Sequence, residues 1–209
     1  MRVGVLGFQG DLEEHLASTR IALEKKGLTG EVCLVKSTGH LEGIDALIIG
    51  GGESTVIGRM AAVNGTLASV RERVLGGMPV LGTCAGLVLL AGRAYDRVVG
   101  EIGQPLLGVL DVLVERNAFG RQRESFEADL EVPILGEERF RGVFIRAPLI
   151  KEMGPEVREM ARLNDGVVAV QQANILATSF HPELTRDTRM HEYFLDVILQ
   201  HQQRNLASV

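Results

Sequence analysis

The first half of the chain alternates short apolar runs with amphipathic stretches. Val3 to Leu6, Val32 to Val35, Ala46 to Ile49 and Val80 to Leu81 are near-continuous apolar runs of strand length, the pattern of strands buried on both faces. Between the first two, Leu12, Leu16 and Leu23 share one helical face, and Asp11, Glu13 and Glu14 crowd the N-terminal end, where negative charge complements the helix dipole. Thr66 to Leu75 predicts another helix, with Leu67, Val70 and Val74 inward and Gly76-Gly77 ending it. Pro79 then starts the short strand that follows. From Gly108 the pattern changes: Val109 to Val114, Ser125 to Val132 and Phe140 to Ile145 read as strands without long helices between them, so this half is expected to be partly antiparallel. Asn174 to Phe180 is the last predicted strand. An amphipathic helix from about Thr185 to Gln203, carrying Phe194, Ile198 and Leu199, closes the pattern. These elements predict a three-layer α/β/α sandwich around a central mixed, mostly parallel sheet.

Composition narrows this further. A chain of 209 residues, 45% hydrophobic, suits one full core, so a single domain over residues 1–209 is expected. Twenty-five glycines against six prolines suit an α/β fold with many tight turns. With a net charge of −5 and no basic run, the electrostatic footprint of a nucleic-acid binder is missing. The chain moves from Met1-Arg2 straight into a strand, without a signal-peptide pattern, and no apolar stretch approaches a membrane span. Two cysteines in unlike contexts suggest free thiols and a reducing compartment, so a cytosolic location is expected.

Candidate chemistry concentrates at Gly82-Thr83-Cys84-Ala85-Gly86, directly after the run Pro79-Val80-Leu81. An apolar strand ending in G-x-C-x-G and running into Leu87-Val88-Leu89-Leu90-Ala91 predicts a tight strand-to-helix turn with the cysteine at its apex. Such an elbow exposes the sulfur, aims a helix N-terminus at it and offers backbone N–H groups to an oxyanion. A lone cysteine beside an apolar run is ordinarily core. Two flanking glycines argue otherwise, since each weakens a packed strand. Cys33 has no such neighbours in Glu31-Val32-Cys33-Leu34-Val35 and is read as structural.

In open α/β sheets ligands bind at the carboxyl ends of the strands. Four unusual segments fall there: Gly7-Phe8-Gln9-Gly10, Gly50-Gly51-Gly52-Glu53-Ser54-Thr55, the Cys84 elbow and His181-Pro182-Glu183. A cysteine nucleophile needs a base. Among the histidines, His15 falls on the first amphipathic helix, His191 and His201 on the last, and His40 in a loop, where exposed or satisfied side chains are the ordinary expectation. His181 follows an apolar strand, and Pro182 restricts the backbone that joins it to Glu183. A carboxylate held against Nδ1–H would fix the tautomer and leave Nε2 for the thiol, which is triad logic with Glu as orienter. The triple glycine is no phosphate loop, because G-x-x-x-x-G-K-[ST] is missing. It is the natural source of a second oxyanion donor. No Cys or His pair has zinc-site spacing, so no metal is expected.

Jointly these segments resemble the triad class of glutamine amidotransferases and, within it, the glutaminase-subunit family of pyridoxal 5'-phosphate synthase. The resemblance runs nearly end to end, through Gly4-Val5-Leu6-Gly7-Phe8-Gln9-Gly10-Asp11, Gly51-Gly52-Glu53-Ser54-Thr55, Gly82-Thr83-Cys84-Ala85-Gly86, Glu115-Arg116-Asn117-Ala118-Phe119-Gly120-Arg121-Gln122, Phe144-Ile145-Arg146-Ala147-Pro148 and Ser179-Phe180-His181-Pro182-Glu183. The elbow and His-Pro-Glu mark the whole class; the other stretches separate this family from its relatives. The resemblance implies the flavodoxin-like fold of class I glutamine amidotransferases. It also implies hydrolysis of L-glutamine to L-glutamate and ammonia, without a cofactor, the ammonia passing to a synthase subunit in a hetero-oligomer that makes pyridoxal 5'-phosphate (vitamin B6). Cys84 would be nucleophile, His181 acid and base, and Glu183 orienter. Backbone N–H groups of Ala85 and of Gly51 and Gly52 would receive the oxyanion, and Gly52, Glu53, Ser54, Arg116, Ile145 and Arg146 would hold glutamine. The two arginines suit an α-carboxylate, or serve as structural partners of acids such as Glu53. The family also implies a glutaminase that works only when docked on its synthase. Rival expectations are a glutaminase subunit of another amidotransferase, a cysteine hydrolase or peptidase of similar fold, a noncatalytic scaffold subunit, and a flavodoxin-like binding module.

Overall fold

Each predicted apolar run becomes a strand with one set of side chains in each of two cores. The structure, a computed structural model, describes residues 1–96, 99–101, 103–118 and 125–207. In chain order the elements are β1 (Arg2–Leu6), α1 (Leu12–Lys25), β2 (Glu31–Val35), β3 (Ala46–Ile49), α2 (Ser54–Val63), α3 (Thr66–Leu75), β4 (Val80–Thr83) and α4 (Ala85–Leu90). They continue with β5 (Ala91–Asp96), β6 (Gly100–Glu101), β7 (Leu110–Arg116), β8 (Ser125–Leu130), β9 (Phe140–Ile145), β10 (Leu149–Met153), β11 (Arg158–Leu163), β12 (Gly166–Gln172), β13 (Ile175–Thr178) and α5 (Arg189–Ala207). Phe119, Gly120, Arg121 and Gln122 of the family-like stretch lie outside the described residues.

The central sheet has the order β2-β1-β3-β4-β13-β12-β10-β7-β5-β6, with β11 on the flank of β12. It is mixed. The five strands from β2 to β13 are all parallel, and antiparallel pairing begins at β12. Alternation explains the layers. Val3, Val5, Ala46 and Ile48 pack with Leu16, Leu23, Phe194 and Ile198 of α1 and α5. Leu6, Leu47 and Ile49 point the other way, into a core with Ile57, Val70, Val74 and Leu87 of α2, α3 and α4. The expected α/β/α sandwich is therefore present. A separate antiparallel ribbon of β8 and β9 lies over the α1/α5 side, its Leu130, Phe140 and Phe144 joining that core, and carries Ile145 to the sheet's carboxyl edge.

Three differences from the sequence pattern have local causes. Helix α2 escapes prediction because its apolar residues run around it: Ile57 and Ala61 are buried while Val56, Met60 and Val63 are exposed. Strands β10 and β11 carry charged residues and irregular register, so they lack a clean period of two. Helix α5 starts at Arg189 rather than Thr185, since Pro182–Leu184 forms a 3-10 turn and Asp187 Oδ1 accepts from Arg189 N at 3.1 Å.

Candidate active site

The elbow forms as its glycines require. Cys84 sits between β4 and α4 with φ 48° and ψ −99°, a conformation costly for any side chain. Neighbouring backbone passes so close that a Cβ on Gly86 would collide with the Ile49 carbonyl, and one on Gly82 would lie 2.8 Å from the Gly86 carbonyl carbon. The Cys84 N–H donates to Thr178 O at 2.8 Å, tying the apex to β13. Cys84 is 8% exposed at the floor of a cleft, and its sulfur lies 3.8 Å from Ile145 O.

Strand β13 delivers the partner side chains. His181 N donates to Val143 O at 2.8 Å, and Pro182 opens the turn that folds Glu183 back beneath the imidazole. The result is a bond of 2.7 Å between His181 Nδ1 and Glu183 Oε1, with Glu183 wholly buried. His181 Nε2 is buried without a hydrogen-bond partner, and lies close enough to Cys84 for the thiol to favour the imidazolium. Burial opposes charge on His181, but Asp11, Cys84 and Glu183 overcome it and push the imidazole up to about 12. Burial likewise pushes the Glu183 carboxyl up, against the pull of His181.

The cleft, about 200 Å³ in volume, is lined by Gly52, Glu53, Ser54, Cys84, Ala85, Arg116, Ile145, Arg146 and His181, so nearly all the sequence-predicted residues meet there. Gly51 stands just behind, its Cα so near the imidazole that a Cβ would lie 2.8 Å from His181 Nδ1 and collide with His181 Cε1. Three of the five described non-glycine residues with positive φ, namely Cys84, Asn117 and Arg146, line this cleft. Backbone strain is concentrated where function is expected.

The two arginines differ. Arg116 is committed: Nη2 donates to Glu53 Oε1 at 3.0 Å, and Nη1 donates to Gln104 Oε1 at 3.0 Å and Thr55 Oγ1 at 3.3 Å. Glu53 is also the N-cap of α2, accepting from Thr55 N and Val56 N. Arg146 makes no ion pair among the described residues and is the free cation of the cleft.

Four residues around the site were not singled out from sequence. Asp11, read as a helix-end charge, places Oδ2 3.0 Å from His181 Nδ1; its position just after Gln9-Gly10 was the available signal. The His181 bond holds its carboxyl below the usual range, against the opposing effect of burial. Gln104 accepts from Ser54 Oγ, Thr55 Oγ1 and Arg116, and lies in a segment with no pattern of its own. His15 and His191 take the satisfied rather than the exposed alternative, both buried behind Glu183 and bonded to each other. Asp11, His181 and Glu183 form the one cluster of metal-ligand type among the described residues. Its oxygens are turned onto Nδ1 at hydrogen-bond distance, an arrangement for sharing a proton.

A family model, the SNO glutamine amidotransferase family, matches residues 5–200. The chain belongs to this family. Similar relatives include "Pyridoxal 5'-phosphate synthase subunit PdxT" of Aeropyrum pernix, 53% identical over 95% of this chain and 99% of the relative. The protein of the same description from Moorella thermoacetica is 50% identical over 95% and 100%. A solved glutamine amidotransferase, 51% identical, superposes with a TM-score of 0.82 over 94% of this chain and 98% of that one. A second, from Thermotoga maritima, reaches 0.57 at 14% identity over 97% and 85%, and shares the fold. Family membership thus accords with a cleft built around a cysteine, a histidine and a carboxylate.

Proposed function

We propose that this chain is the glutaminase subunit of a pyridoxal 5'-phosphate synthase, a single glutaminase domain that hydrolyses L-glutamine and passes ammonia to a synthase subunit. The observation that carries it is the strained Cys84 elbow facing an imidazole whose Nδ1 is held 2.7 Å from Glu183. The names of relatives about half identical along their whole length support the synthase partner. Absence of a helix long and apolar enough to cross a membrane among the described residues, together with two free cysteines, agrees with a cytosolic site of action.

In this mechanism Cys84 Sγ attacks the side-chain amide carbon of glutamine while His181 holds the thiol proton on Nε2. Charge gathers on the amide oxygen, which takes N–H bonds from Ala85 at the start of α4 and from the Gly51-Gly52 loop. The carbon–nitrogen bond then breaks, His181 gives its proton to the departing nitrogen, and ammonia leaves a glutamyl thioester on Cys84. Water, deprotonated by His181, attacks that thioester; glutamate departs and the thiol is restored. Glu183 keeps Nε2 aimed at the sulfur throughout. Arg146 takes the substrate α-carboxylate. Glu53 and Ser54, braced by Arg116 and Gln104, receive the ammonium end beside Gly52 and Ile145. A glutamine analogue with an electrophilic carbon at the amide position tests this: it should label Cys84 alone, and free glutamine should protect. Labelling spread between Cys33 and Cys84, unaffected by glutamine, would contradict it.

A further inference from the structure

Two buried histidines stand behind the triad with no part in the steps above. His15 of α1 and His191 of α5 are both fully buried, with His15 Nδ1 3.2 Å from His191 Nε2. The other nitrogen of His15, Nε2, is hydrogen-bonded to Thr83 Oγ1 at 3.1 Å and lies 3.4 Å from Glu183 Oε2, an oxygen buried without a hydrogen-bond partner. Thr83 is the residue before the nucleophile, and Gly50, at the head of the oxyanion loop, is so close that a Cβ there would lie 2.8 Å from His15 Cδ2. One imidazole therefore touches the elbow, the triad carboxylate and the glycine loop together.

The atoms left without partners fix the proton positions. Two arrangements fit the bond between the rings. If His15 carried its proton on Nδ1, its Nε2 lone pair would face a carboxylate, and His191 would bury an N–H on Nδ1, which has no partner. If His191 donates from Nε2, His15 Nδ1 accepts, His15 Nε2–H donates to Thr83 Oγ1 with Glu183 Oε2 beside it, and what is stranded here, His191 Nδ1 and Glu183 Oε2, is lone pairs alone. An unpaired buried acceptor occurs more readily than an unpaired buried donor. Burial favours uncharged rings: His191 is lowered to about 4, and His15 well below its usual value, first by burial and then by the charges of His191 and His181.

We propose that His15 and His191 form a neutral relay, His191 Nε2–H to His15 Nδ1 and His15 Nε2–H to Thr83 Oγ1, that sets an N–H dipole 3.4 Å from Glu183 Oε2 and so positions the triad carboxylate and favours its ionised form. The proposal rests on Glu183 being the orienter of His181. The Glu183 carboxylate faces His181 from its own turn, Asp11 from the loop before α1, and His15 from α1. His191 of α5 and Thr83 of β4 stand behind His15. Of these, His15 brings a ring N–H to 3.4 Å from the oxygen that His181 does not use. Both histidines are positioning residues.

The first test needs no substrate. The full chain, with ¹⁵N-labelled histidine, is examined at neutral pH by long-range ¹H–¹⁵N correlation, the signals being assigned with His15→Gln and His191→Phe. Both residues should be neutral with the proton on Nε2. A proton on His15 Nδ1, or a charged ring at either position, overturns the relay. The second test follows iodoacetamide alkylation of Cys84 against pH, read by mass spectrometry of the Cys84 peptide. In His15→Leu the acid-side inflection should rise by about one pH unit, as the carboxylate loses its neighbouring N–H dipole. His15→Gln, which keeps an N–H near the Nε2 position, should restore at least half of that shift. Equal shifts in Leu and Gln, or none in Leu, would overturn the proposal. Should His15→Leu fail to fold, the wild-type tautomers still decide. Neither readout involves glutamine turnover, so a wrong assignment of substrate would show separately, as no glutamate release by a wild type whose tautomers are as stated.

Discussion

Asp11 Oδ2 and His181 Nδ1 lie 3.0 Å apart, so the imidazole that faces Cys84 is shared between two carboxylates, Glu183 at 2.7 Å being the other. They are not equivalent. Glu183 is wholly buried, whereas the Asp11 side chain is 31% exposed and its field is damped by water. Glu183→Gln should therefore lower kcat for glutamine by about 10³-fold or more, while Asp11→Asn should cost less than about tenfold. Both are measured on the complex with the synthase subunit. Equal losses would make Asp11 a full partner in orientation.

Arg116 and Arg146 should separate cleanly. Arg146→Ala removes the free cation and should raise KM for glutamine at least about tenfold with the melting temperature little changed. Arg116→Ala breaks the bonds to Glu53, Thr55 and Gln104 and should lower thermal stability as well. Parallel titrations of glutamine and thermal melts on the two variants check this; an unchanged KM in Arg146→Ala contradicts the assignment of the α-carboxylate.

The elbow glycines make a stability prediction. Gly86→Ala places a methyl against the Ile49 carbonyl, which belongs to the central sheet and has nowhere to move. A loss of about 3 kcal/mol or more is expected in urea unfolding. Gly39→Ala meets only Ser37 Oγ at 4.0 Å and should stay within about 0.5 kcal/mol of wild type. Similar values for the two would mean that the elbow relaxes easily.

The buried His191 carries a pH signature. Its value falls from 6.5 in the unfolded chain to about 4 in the fold, so between those values the unfolded state binds the proton and the folded state does not. Stability from this residue is complete above pH 6.5 and declines toward pH 4, by about 1.4 kcal/mol per pH unit at most. His191→Phe should flatten the dependence of melting temperature on pH across that window, relative to wild type. An unchanged slope would show that His191 titrates normally.

Where the geometry of the candidate site is local, it was legible in the sequence. The elbow needs only Gly82, Cys84 and Gly86 after an apolar strand, and His181 reaches Glu183 within one turn fixed by Pro182. Parallel strands announced themselves because both faces are buried. The hidden contributors are those whose partners are distant in sequence. His15 and His191 are 176 residues apart and sit on helices whose periodicity is equally that of an exposed histidine. Asp11 fits a helix N-terminus just as well as a catalytic charge. The role of Arg116 also needed the fold, because Gln104 and Glu53 come to it from other segments.

Glutamate release from L-glutamine, by the purified chain alone and with the pyridoxal 5'-phosphate synthase subunit, tests the central claim most directly. The account predicts release that rises on adding the synthase subunit and disappears in Cys84→Ala, a variant that should still bind the partner. Release that survives in Cys84→Ala, or none from a wild-type chain shown to be bound to its partner, would contradict it.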